Sequence, residues 1–90
     1  MPTIRLLIKG KVQGVFYRAS AREMAETFGV TGWVRNTAEG WVEAMASGNE
    51  QQLQQFVDWC KAGPPQAVVT EVEVSKMEEQ AFEKFRIVRG

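Results

Sequence analysis

The sequence predicts an α+β sandwich in which an antiparallel sheet carries two helices on one face. Two segments place apolar residues at helical spacing, about four others alternate as half-buried strands do, and the segments follow in the order β-α-β-β-α-β. Ninety residues leave room for one core, so residues 1–90 are expected to form a single domain.

Each element has its own signal. In residues 4–8, Ile4, Leu6 and Ile8 alternate with Arg5 and Leu7, which gives a strand with one apolar face. A loop over 10–16 leads to a helix over 17–28, where Ala21, Met24, Ala25 and Phe28 fall on one side and Gly29 stands at the expected left-handed cap. Residues 30–36 and 41–47 flank Thr37-Ala38-Glu39-Gly40, a connection that suits a hairpin. In the second of these strands Val42, Ala44 and Ala46 face one way, and Trp41, Glu43 and Met45 the other.

Asn49 then offers an N-cap to a helix marked by Leu53, Phe56, Val57 and Cys60, and Gly63-Pro64-Pro65 stops it. Alternation over 68–76, a polar turn at 77–81 and a last strand over 82–89 complete the chain. Right-handed crossovers would place the first and third strands side by side in the centre, in the ferredoxin-like arrangement.

Composition narrows the chemistry. Apolar residues make up 44% and charged residues 24%, as in an ordinary globular protein. Eleven basic residues cancel eleven acidic ones, which removes the field expected of a nucleic-acid or anionic-membrane binder. No segment is long and apolar enough for a membrane span, and the first residues lack a signal-peptide layout, so the cytoplasm is the expected compartment. The single cysteine, Cys60, cannot form an internal disulfide and is expected to pack in the core.

The chain has no histidine, which excludes Ser-His and Cys-His nucleophilic pairs and histidine metal sites. One cysteine cannot supply a thiolate cage either. An enzyme of this composition must work through arginine, amides, hydroxyls, carboxylates or backbone donors.

One stretch fits that description. Gly10 and Gly14 bracket a loop whose backbone amides can turn inward, a helix begins just beyond, and Arg18 in its first turn can fork onto two oxygens. The same residues also fit a plain strand-to-helix turn with a solvated arginine. Asn36, at the end of the second strand, is either a turn former or a second polar group approaching that loop.

Two motifs carry a resemblance. Ile8-Lys9-Gly10-Lys11-Val12-Gln13-Gly14-Val15-Phe16-Tyr17-Arg18 closely resembles the signature of the acylphosphatase family. Gly32-Trp33-Val34-Arg35-Asn36, followed by Gly40, Val42 and Gly48, resembles its second signature in order and spacing. Tyr17 departs from the phenylalanine more usual before the arginine, which keeps an aromatic group for packing.

The resemblance extends to hydrogenase-maturation and carbamoyl-transfer proteins that carry such a domain, and the length of this chain favours a free-standing enzyme. It implies hydrolysis of an acyl phosphate to a carboxylate and inorganic phosphate, with no metal, cofactor or covalent intermediate. Arg18 and the loop residues Gly10, Lys11, Val12, Gln13, Gly14, Val15 and Phe16 would bind the phosphate. Asn36 would orient the attacking water, with Thr37 in support. Inorganic phosphate is then expected as product and inhibitor, and the protein as a monomer.

The alternatives are a catalytically silent regulatory module of this fold, or an RNA- or peptide-binding sheet using Trp33, Trp41 and Trp59. The latter lacks both a basic balance and the aromatic motif of sheet-based RNA binders.

Overall fold

The computed structural model describes residues 1–89. Its elements are β1 (Thr3–Lys11), α1 (Tyr17–Phe28), β2 (Thr31–Asn36), β3 (Val42–Ser47), α2 (Glu50–Ala62), β4 (Val68–Met77) and β5 (Phe85–Ile87). The strands form one five-stranded sheet in the order β4-β1-β3-β2-β5, with β1 and β3 adjacent as expected.

β1 runs antiparallel to β3, with Leu6 opposite Ala44, and β2 antiparallel to β3, with Val34 opposite Ala44. This register puts Leu6, Ile8, Val34, Val42, Ala44 and Ala46 on one face, where all are buried.

Both helices cover that face, α1 over β2 and β5, α2 over β4 and β1. The helical spacing read from the sequence decides what they bury: Tyr17, Ala21 and Ala25 on α1, and Leu53, Phe56, Val57 and Cys60 on α2. A fully buried Leu or Phe side chain contributes about 1.5–3 kcal/mol, so this shared layer holds the sandwich together. Cys60 sits within it, and burial pushes its thiol up to about 12, as suits a packing residue rather than a nucleophile. Tyr17 OH donates to the Cys60 carbonyl at 2.6 Å and locks the start of α1 to the end of α2.

The last strand departs from the sequence reading. Pairing is confined to Phe85–Ile87 within the expected 82–89, and β5 runs parallel to β2, with Gly32 opposite Phe85 and Val34 opposite Ile87. The sheet is therefore mixed, with one parallel edge. A strand with a single neighbour is held only where that neighbour offers groups, here the Gly32 N–H to Lys84 O and the Val88 N–H to Val34 O.

On the outer face Glu43 is only 8% exposed and lies between Arg5 and Arg35, with an Arg35 contact at 2.6 Å. Burial alone would raise its carboxyl, but hydrogen bonds from Arg5 and Arg35 outweigh that and hold it below its ordinary value. Lys9 lies 4.7 Å from the centre of the Trp41 ring on this face, whereas Trp59 packs on the helical side against Tyr17 at 5.4 Å. The three tryptophans do not form one platform.

Candidate active site

Strand alternation aims Asn36. Arg35 points outward to Glu43, so Asn36 points inward, to the same side as Val34 and the helices. There it meets the start of α1. Val12, Gly14, Phe16, Tyr17, Arg18, Ala19 and Asn36, together with Ile87 and Arg89, line a cleft of about 740 Å³. Among the described residues no carboxylate side chain lines it, and two arginines do.

The wall formed by the loop is built to expose N–H groups. Gly14 adopts φ 74° and Phe16 φ 64°, left-handed conformations that turn the backbone sharply before the helix. For phenylalanine this is a strained choice, on the order of 1–2 kcal/mol. Its side chain does not compensate by packing, being 79% exposed at the rim.

Phe16 occupies the N-cap of α1, no side chain caps the helix, and the first turn holds no acidic residue. Among the described residues, the N–H groups of residues 13–19 find no carbonyl or side-chain acceptor. These orphan donors and the positive end of the helix dipole converge on the cleft, an arrangement suited to an anion. Arg18 stands in the same turn and enters no ion pair among the described residues.

Asn36 presents the complementary chemistry. Its Oδ1 is buried, and no hydrogen-bond donor reaches it among the described residues. A buried acceptor left without a donor costs about 1–3 kcal/mol, and its carboxamide can hold a water against a bound anion. The turn beyond is closed by Thr37 N–H to Trp41 O at 2.9 Å and by Trp41 N–H to Thr37 Oγ1 at 3.2 Å. Thr37 thus shapes the turn and does not line the cleft.

The remaining residues named from the sequence divide by position. Gly10 and Lys11 belong to β1 and pair with Val69 and Val68 of β4 at a bulge. A Cβ on Gly10 would meet the Val68 carbonyl oxygen at 2.1 Å, so its need for glycine comes from the neighbouring strand. Val15 is buried in the core, and Gln13 directs its side chain to the Thr37 and Trp41 carbonyls.

Ile87 and Arg89 escaped the sequence reading. Phe85, Ile87 and Arg89 share one parity, a signal visible in the sequence, but only the pairing of β5 with β2 brings that parity beside Asn36.

Comparison with known proteins agrees with this geometry. The family model described as Acylphosphatase matches residues 4–87. An acylphosphatase from Acaryochloris marina is 46% identical over 92 residues, covering 99% of either chain. The crystal structure of an acylphosphatase from Bacillus subtilis superposes with a TM-score of 0.94 at 36% identity, over 98% of this chain and 99% of that one. An acylphosphatase from Coxiella burnetii gives 0.93 at 38% identity, over 97% and 92%. With both signature stretches converging on one cleft and the match running through nearly the whole sequence, the chain belongs to the acylphosphatase family.

Proposed function

We propose that this chain is an acylphosphatase that hydrolyses the carboxyl-phosphate bond of small acyl phosphates. The observation that carries the site assignment is the cleft in which Arg18, Asn36 and the uncapped start of α1 meet, with no carboxylate side chain among the described residues that line it.

The phosphoryl group docks on the loop amides between Val12 and Phe16 and on the amides of the first turn, and Arg18 spans two of its oxygens. Asn36 Oδ1 accepts one O–H of a water and aims its lone pair at phosphorus. A phosphate oxygen of the substrate takes the proton as the P–O bond to the acyl group breaks. The carboxylate leaves as a stable anion, so no acid need protonate it.

The acyl part then lies towards Phe16, Ile87 and Arg89, and Arg89 meets the charge that develops on the departing carboxylate. Phosphoryl transfer of this kind depends on positioning and on charge stabilisation, which arginine and backbone N–H groups supply without histidine or metal.

Residues 1–90 act as one domain in this reading, consistent with the single hydrophobic core beneath the sheet. The protein works as a monomer in the cytoplasm, where one buried free cysteine is at home, and does not act on nucleic acid. Among the described residues no helix is long and apolar enough to cross a membrane. Inorganic phosphate, as product, occupies the phosphoryl position and inhibits competitively.

Hydrolysis of benzoyl phosphate tests the proposal, with Arg18→Ala as control. The wild type should turn over, and the variant should lose at least about 10²–10³ in kcat/KM, or 2.7–4 kcal/mol. Phosphate binding without hydrolysis would leave a silent binding module in its place.

A further inference from the structure

We infer that Gln13 is a positioning residue that fixes Asn36 against the phosphate-binding end of α1. This rests on the water-orienting role of Asn36 proposed above.

Gln13 lies between Val12 and Gly14, both of which line the cleft, but is not itself part of the lining. Its Nε2 donates to the carbonyls of Thr37 and Trp41, at 2.9 Å to each. Both carbonyls already hold the turn after Asn36, Trp41 O accepting from Thr37 N–H at 2.9 Å and Thr37 O from Gly40 N–H at 3.2 Å. The two hydrogens of one amide therefore clasp both sides of that turn. Among the described residues, no other hydrogen bond joins residues 12–16 to residues 36–41.

The two halves of the site belong to different elements, the anion-binding wall to the loop and α1, the water-orienting group to β2. Gln13 couples them directly. A misplacement of about 1 Å between water and phosphorus can reduce turnover by about 10²-fold, while the grip on phosphate depends on the loop amides, the first turn of α1 and Arg18. Each carbonyl keeps its backbone partner when Gln13 is replaced, so the turn retains its own closure.

The experiment compares Gln13→Met, which keeps the length of the side chain and removes its donors, in wild-type and Asn36→Ala backgrounds. In the wild type kcat should fall about 10- to 100-fold, while the inhibition constant for inorganic phosphate stays within about threefold. In the Asn36→Ala background the same substitution should lower kcat by less than about twofold, because the group it positions is gone. Gln13→Asn, with the amide on a shorter arm, should recover part of the loss.

Equal losses in both backgrounds would overturn the inference, as would a phosphate affinity that falls in step with kcat. If neither variant folds, Gln13 is a residue of the fold alone and the inference fails. Undiminished kcat in Asn36→Ala itself would remove the underlying role of Asn36 as well, which separates that failure from the others.

Discussion

At the start of α2, Asn49 Oδ1 accepts from the Gln52 N–H and Gln52 Oε1 accepts from the Asn49 N–H, both at 2.8 Å, with Glu50 in the first turn. The corresponding position of α1 is Phe16, which has no side-chain oxygen and sits at φ 64°. The helices have 13 and 12 residues and face the same need to satisfy their first N–H groups. One meets it within the chain through a capping box and an acidic residue suited to the dipole. The other leaves its first N–H groups without an acceptor among the described residues. On the proposed reading, a helix end that looks poorly designed by the rules of stability is one reserved for binding.

Three measurements would break or sharpen that contrast, beginning with the largest. Asn36→Ala should lower kcat by about 10²–10³ with a much smaller change in KM. Because no donor reaches the buried Asn36 Oδ1 among the described residues, the variant should melt no lower than the wild type. A sharp fall in Tm would make Asn36 an ordinary structural residue.

Next, inorganic phosphate should supply the cap that α1 lacks. At a hundredfold excess over Kd, binding to the folded state alone adds about 2.7 kcal/mol, seen as a rise in Tm. Arg18→Ala should move that response to higher phosphate, and a melting curve indifferent to phosphate would deny that the open end takes an anion.

The smallest effect belongs to the closed end. Asn49→Ala should cost about 1 kcal/mol of stability in denaturant titration and leave kcat/KM unchanged. Altered kinetics would show that the two helix ends are not separable.

Local chemistry in the sequence made most of this legible. Residues 17–28 and the buried face Leu53, Phe56, Val57 and Cys60 follow from helical spacing and end signals, and the structure shows both. Asn36 was nameable from its motif, and its inward direction follows from alternation with Arg35.

What stayed hidden depends on pairing between distant strands. A glycine shows that something approaches closely, but not whether it is an anion or, as at Gly10, the backbone of β4. The stretch at 82–89 has a strand-like pattern, yet the parallel edge on β2 and the trimming to Phe85–Ile87 are set by what β2 leaves unpaired. The arrival of Ile87 and Arg89 in the cleft follows from that pairing and could not be read before it. Nor does a glutamine between Val12 and Gly14 announce that its amide will reach the carbonyls of Thr37 and Trp41.

The cleft draws one wall from residues 12–19 and another from Ile87 and Arg89, far apart along the chain. The sheet order brings these together, since β3 bridges β1 to β2 and β2 receives β5. Such non-local closure is slow compared with winding α1 or α2. Recovery of turnover during refolding should therefore lag the helix signal in circular dichroism, which would make the assay a clock for completed topology.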